Sequence, residues 1–326
     1  MYLKLVSDFR DIDLIELRPP GFQKNIKAKT AQHVEMVRKK HGWRNVSSCP
    51  VCKTREREPE LTSFGISIVR CNSCKVRYAT KVPLNPSDFY DGEVYLDHAR
   101  DSYMKNVEFR KKRFGTERLE IISRHLPDSR HTPKRLLDVG CGTGWFIEIV
   151  QESGYEVQGI ELGKELRDWT RKRLNVVIWD CTLSEIPETE TYDAITMFDL
   201  IEHVADPVKL LRDARERLNP EGIILVFTPN YDSLGITLMK ENSSQIAPVD
   251  HLVYFTPPSI SKAAELAKLK IIFLETKGMD IADIAASEEE SNSSICQYLK
   301  NNFNVLQPIV DAAGCANHMR IIFKAS

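Results

Sequence analysis

The sequence contains no run of 18 apolar residues, which excludes a conventional membrane-spanning helix. Its opening stretch, MYLKLVSDFRDIDLIEL, is too charged to read as a secretory leader. Bulk charge is also missing. The formal net charge is -1, so partners are not chosen by whole-molecule electrostatics. No internal repeat is visible. Disulfide patterning is lacking as well: of eight cysteines, four sit in two CxxC pairs. In a chain without a leader that spacing points to metal or redox chemistry and to a reducing, cytoplasmic setting.

The charge that is present is unevenly spread. Residues 1–134 hold 27 Lys+Arg against 17 Asp+Glu, and the remainder 18 against 29. Such asymmetry suits either an anionic partner for the front half or two solvated surfaces of different sign. Pro19-Pro20-Gly21 breaks a front extension over 1–47, within which residues 30–41 suit a short helix. The cysteine pairs define a small module over 48–80. A charge-rich helical linker over 81–131 follows, with Gly115 as its weak point and Pro127 and Pro133 marking its end. From 132 to 326 apolar runs alternate with helical stretches: RLLDV, WFIEIVQESG, YEVQGI, KELRDWTRKRL, NVVIWD, YDAITMF, PVKLLRDARERL, GIILVFT. This is the alternation of an α/β domain with a mostly parallel sheet. PSISKAAELAKL reads as a helix, and KIIFLET and MRIIFKA read as closing strands. About 40 residues separate these two strands. They include SEEESNSS and a helical candidate, ICQYLKNNFNVLQPIV.

The stretch LLDVGCGTGWF ends an apolar run in an acid and then places Gly140, Gly142 and Gly144 before a helix. Glycines there let backbone approach a ligand, and a helix start favours an anionic group. A dinucleotide fingerprint would need a third glycine where Trp145 stands, and no Gly-Lys-Ser/Thr follows for a P-loop. Residues 138–144, DVGCGTG, instead resemble the first motif of class I S-adenosylmethionine-dependent methyltransferases. More of that pattern follows in order: Glu161 in GIELG, Asp180 in VVIWDC, YDAITMFDLIEHVADP and LNPEGIILVFTPN. The resemblance spans roughly 105–326. It implies a Rossmann-like sheet of seven strands, the last antiparallel, with substrate-cap insertions near 230–256 and 277–316. It also implies a donor site of Asp138, Gly140, Cys141, Gly142, Gly144, Glu161, Leu162, Asp180, Cys181 and Phe198. Glu161 would accept from the ribose hydroxyls, and Leu162, Trp179 and Asp180 would form the adenine slot. Trp179, Trp145 and Phe146 suit core packing equally well.

FDLIEHVADP places Asp199, Glu202 and His203 at helical spacing, on one face if a helical turn begins there. The cluster is similar to the E-x-x-E-H of ubiquinone-biosynthesis O-methyltransferases, which holds a divalent cation; here the first acid is the shorter Asp. A polar lining for the donor site is the alternative. His251, in VDHLVYFTP, falls in the segment that caps the active site in the family. It is the first candidate for a general base, with His203 the second. The Asn/Asp-Pro-Pro-Tyr of many N-methyltransferases and the catalytic cysteine of RNA cytosine-C5 enzymes are both missing after the fourth strand, which argues against those reactions.

Cys49/Cys52 and Cys71/Cys74 lie 18 residues apart, the spacing of a four-thiolate zinc site. Four thiolates fill a tetrahedral shell, so the role would be structural. A zinc ribbon ahead of a methyltransferase core is similar to a group of bacterial and archaeal enzymes acting on sugars and other biosynthetic intermediates. The expected activity is therefore S-adenosylmethionine-dependent methylation of an oxygen or carbon of a small metabolite. The alternative is an RNA or protein methyltransferase whose basic front half holds a macromolecule. The oligomeric state is not legible.

Overall fold

The structure is a computed structural model that describes residues 21–40, 42–84, 104, 107–126, 133–288 and 293–326. The charged opening stretch, Pro127 and part of SEEESNSS lie outside these residues. In chain order the elements begin with α1 (Phe22–Lys40), β1 (Trp43–Asn45), β2 (Arg57–Ser63), β3 (Ile66–Cys71), β4 (Arg77–Ala79) and β5 (Lys81–Pro83). Next come α2 (Val107–Arg110), α3 (Thr116–His125), β6 (Arg135–Val139), α4 (Trp145–Glu152), β7 (Glu156–Ile160), α5 (Lys164–Leu174) and β8 (Ile178–Trp179). After these follow β9 (Tyr192–Phe198), α6 (Pro207–Glu216), β10 (Leu218–Pro229), α7 (Leu234–Met239), β11 (Val253–Tyr254), α8 (Pro257–Leu266) and β12 (Leu269–Thr276). The last are α9 (Asp280–Glu288), α10 (Ser294–Asn301), α11 (Phe303–Ala312) and β13 (His318–Ala325).

The chain forms two compact units. One, the sheet unit, comprises Leu84–Phe227, Ser261–Phe273 and Ile321–Ser326. The other, the ribbon unit, comprises Met1–Pro83, Thr228–Ile260 and Leu274–Arg320.

The seven-stranded sheet has the order β12-β13-β10-β9-β6-β7-β8. Pairings β8–β7, β7–β6, β6–β9 and β9–β10 are parallel, and the last strands are antiparallel. Every residue of β9 except its last is buried, as a central parallel strand requires. β8 is only two residues long, shorter than the run NVVIWD suggests. Asn175 adopts a left-handed conformation (φ 52°) that ends α5, and Val177 is exposed, so the run gives up its first half to a helix cap. Asp206 starts α6: its side chain accepts from the Lys209 amide at 3.0 Å, with Pro207 in the first turn. Gly115 closes a π-helical turn, Lys111–Gly115, that joins α2 to α3. A Cβ there would stand 2.9 Å from Ile149 Cδ1, so the small residue lets this turn pack on α4.

The ribbon unit holds the sheet β11-β4-β3-β2 and the separate antiparallel pair β1–β5. α1 begins directly after Pro20-Gly21 and is longer than the expected 30–41 helix. Two apolar clusters mix residues distant in sequence. Val34 and Val37 of α1 meet Ile66, Ala79 and Val249, while Ile68 meets Tyr231, Ile236, Ile246 and Tyr254. The helical candidate ICQYLKNNFNVLQPIV is two helices, α10 and α11, which break at Asn302.

Candidate functional site

Strand β6 ends at Val139 and delivers the loop GCGTG to the start of α4. Gly140 and Cys141 both donate to the Ile160 carbonyl at 2.9 Å, which ties the loop to the end of β7. The glycines are needed for different reasons. At Gly144 (φ 67°) a Cβ would lie 2.5 Å from Thr170 Cγ2, so bare backbone is what lets α5 pack there. At Gly142 (φ 53°) a Cβ would meet nothing within 4 Å; this stretch of backbone is left-handed and open.

Glu161 follows β7 and is buried. One carboxylate oxygen accepts from the Gly142 amide at 2.9 Å and the other from Gly163 at 2.7 Å. Each oxygen of a carboxylate has two acceptor sites, so these bonds orient the group without exhausting it. Next to it Leu162 is 42 % exposed, and Asp180 is exposed at the end of β8. Trp179 is held by its indole N–H on Gln158 Oε1 at 2.8 Å, and Trp145 and Phe146 belong to the main core cluster. Cys141 is buried, and burial pushes its thiol well above the ordinary range; Cys181 is half-buried and is pushed up by the same cause.

Asp138 is almost fully buried and accepts from the Thr196 hydroxyl at 2.7 Å. Burial raises its pKa to about 7, against the opposing pull of the Thr196 hydrogen bond and the Arg118 charge. The neutral acid is thus the form the fold favours. Stability from this group is full below the ordinary carboxylate pKa near 4 and is lost as pH rises through about 7. Thermal denaturation between pH 4 and pH 8 should show this as a loss on the order of 4 kcal/mol. Asp138→Asn should remove that part of the pH dependence, and an unchanged profile in the variant would reject the assignment.

Arg118 was not singled out by sequence, because a charge-rich helix gives no sign of which charge turns inward. It is buried on α3, with its guanidinium 3.9 Å from the Phe198 ring centroid and 4.8 Å from those of Trp145 and Phe227. Cation–π contacts of this kind hold a desolvated guanidinium at the strand ends beside Asp138.

The turn after β9 departs from the expected helix face. Asp199 is left-handed (φ 53°) and its amide donates to Phe227, and a 3-10 turn spans only Ile201–His203. Asp199 therefore lies outside the turn carrying Glu202 and His203, and the one-face reading of all three is corrected. Glu202 is buried, with one oxygen 3.8 Å from His203 Nε2. A Cβ on Gly140 would touch Leu200, so this turn lies against the glycine loop. His251 belongs to the ribbon unit, whereas the glycine loop, Glu161 and His203 belong to the sheet unit.

A second constellation lies in the ribbon. Cys49 Sγ is 3.5 Å from Cys74 Sγ and Cys52 Sγ is 3.4 Å from Cys71 Sγ, with all four sulfurs within 4.8 Å of one another. Disulfide sulfurs would stand about 2.0 Å apart. Sulfurs about 2.3 Å from a shared zinc would stand roughly 3.8 Å apart, close to what is found. The two knuckles match each other: Lys53 and Lys75 are both left-handed (φ 63° and 62°) and donate their amides back to Cys49 and Cys71. The donor set fits a structural zinc.

A family model described as a methyltransferase domain matches residues 108–273, just over half of the chain. The chain belongs to this methyltransferase family. Among curated relatives, the ubiquinone biosynthesis O-methyltransferase of Aliivibrio fischeri (strain MJ11) is 27 % identical over 152 residues, covering 42 % of this chain and 64 % of the relative. The enzyme of the same description from Nitrosospira multiformis is 36 % identical over 151 residues, covering 44 % and 62 %. The methyltransferase thus spans a little under two thirds of the length of these relatives. Among solved structures, a chain of the complex between the Haloferax volcanii Trm112 methyltransferase activator and a methyltransferase shares the fold. Its TM-score is 0.50 at 12 % identity, covering 70 % of this methyltransferase and 96 % of that chain.

Proposed function

We propose that this methyltransferase transfers the methyl group of S-adenosylmethionine to an oxygen or carbon of a small metabolite. The observation that carries the reading is Glu161, a buried acid pinned by the Gly142 and Gly163 amides beside an open glycine backbone. Relatives described as O-methyltransferases of ubiquinone biosynthesis support a small acceptor. In this reading the loop amides and the start of α4 hold the donor's carboxylate, with Arg118 adding positive charge. Glu161 accepts from the ribose hydroxyls, and Leu162, Asp180 and Cys181 border the adenine. Phe198, stacked on Arg118, walls the methionine end, and Asp138, Gly140, Cys141 and Gly144 shape the loop.

The bound donor supplies an electrophilic methyl carbon on a sulfonium. The chain's own work is to orient the acceptor, exclude water and receive the acceptor's proton. His251 is the base in this proposal and His203 the second candidate. The Nδ1 of His251 lies 2.9 Å from the Gln245 carbonyl oxygen, which can only accept. Nδ1 therefore carries the hydrogen, and a neutral ring presents its lone pair at Nε2. Zinc on Cys49, Cys52, Cys71 and Cys74 is structural, and this CxxC pairing suits a reducing compartment.

Glu161→Ala should weaken binding of S-adenosylmethionine by roughly 1.5–3 kcal/mol, the cost of losing a charged hydrogen-bond partner. Isothermal calorimetry reads this directly, and equal affinity in the variant would rule out the ribose role. A screen of metabolites with isotope-labelled methyl donor identifies the acceptor.

A further inference from the structure

The backbone on both sides of His251 is held by parts of the chain that lie outside the matched methyltransferase domain. On the near side, Lys27 of α1 donates to the Glu241 carbonyl at 2.7 Å, and Gln23 accepts from the Ser244 amide at 3.1 Å. His33 of the same helix lies 2.6 Å from the Asp250 carboxylate, at ion-pair distance rather than with in-line hydrogen-bond geometry. On the far side, Ala79 donates to the Leu252 carbonyl at 3.0 Å, and β11 continues the ribbon sheet with Val253 opposite Tyr78 and Tyr254 opposite Arg77. A two-residue strand cannot hold itself; its geometry is borrowed from β4.

The side chains repeat this arrangement. The His251 ring meets Tyr254 edge-on with centroids 6.2 Å apart, and Tyr254 meets Tyr231 at 5.8 Å. Above Tyr231 lies the Arg77 guanidinium, 4.6 Å from the ring centroid. Arg77 is itself fixed by Asp232 at 3.2 Å and Glu60 at 3.5 Å, and is only 13 % exposed. The stack Arg77–Tyr231–Tyr254–His251 thus runs from the ribbon to the imidazole, entirely within the ribbon unit.

We propose that Arg77 is a positioning residue for His251, acting through Tyr231, Tyr254 and the β4–β11 pairing. This rests on the reading of His251 as the base, but its test does not. The zinc-loaded protein is compared with Arg77→Met, Arg77→Lys and Tyr231→Leu, each first shown by metal analysis to keep its zinc. Hydrogen exchange at residues 251–254 should quicken at least about tenfold in Arg77→Met, while residues 135–163 keep wild-type protection. The His251 ring nitrogens, followed by NMR, should lose the signature of a single Nδ1–H form in Arg77→Met and recover much of it in Arg77→Lys. Tyr231→Leu keeps the apolar filling but removes the cation–π face, and should resemble Arg77→Met. Wild-type exchange and wild-type His251 signals in both Arg77→Met and Tyr231→Leu would overturn the proposal. If those signals change while His251→Ala retains full turnover, the positioning role stands and the base assignment falls. If His251→Ala is inactive but both ribbon variants leave His251 untouched, the base assignment stands and the positioning role falls.

Discussion

Cys71→Ser protein is expected to contain no zinc, where the parent contains one ion per chain. Binding free energies for four-ligand structural zinc are about 10–16 kcal/mol, so no packing interaction within so small a sheet can stand in for the metal. Cys71 ends β3, and its carbonyl and amide both serve the second knuckle. From sequence the damage would stop at the module over 48–80. The fold extends it, because Ile68 and Ala79 are core neighbours of Tyr254 and Val249. Hydrogen exchange should therefore rise at residues 245–254 together with residues 57–79. Binding of S-adenosylmethionine, whose proposed contacts lie in the sheet unit, should persist. Metal analysis that finds no zinc in reductant-protected parent protein would remove the zinc reading, and intact protection in a zinc-free variant would remove its structural role.

His251→Ala should lower turnover by about 10²–10⁴-fold with donor affinity unchanged, as removal of a general base does. Deprotonating a hydroxyl or an activated carbon needs an acceptor that is largely neutral at physiological pH, and imidazole is the side chain suited to it. His203→Ala is the control, because Glu202 is buried next to His203 and the pair could take the same role. A reaction that chelator abolishes while the four-cysteine zinc is retained, and in which Glu202→Ala is as damaging as His203→Ala, would instead mark metal assistance. Near-normal rates in both histidine variants, with no chelator effect, would leave catalysis to positioning alone. Single-turnover measurements with the acceptor from the labelled-donor screen separate these outcomes.

The parts of the molecule written in local pattern were legible. RLLDV, KELRDWTRKRL and YDAITMF have the observed bounds of β6, α5 and β9, because burial on both faces or on one helical stripe leaves a short-range signature. The zinc quartet was legible because coordination chemistry fixes its spacing. What escaped was non-local or conformational. β11 is two residues whose partner lies far earlier in the chain, so no window of sequence contains the pair. Asp199 looked like the first position of a helical face, but its left-handed backbone shows only in the fold. In a list of charges Arg118 looks like any other basic residue of its stretch; the aromatic rings that wall it come from distant parts of the chain and show only in the fold.

The order of synthesis gives the ribbon sheet a history. β4 leaves the ribosome roughly 175 residues before β11, a wait of about 9–35 seconds at ordinary elongation rates. The zinc knuckles are complete by Cys74 and can close on metal at once. Until Val253 and Tyr254 arrive, β4 is an edge strand with a row of unanswered backbone groups, the usual starting point for pairing with the wrong neighbour. Arg77 and Lys81 place charge on this edge and its continuation, which discourages such pairing. Expression at low zinc removes the early closure but not the wait, so nascent chains rather than finished protein should be the aggregating species.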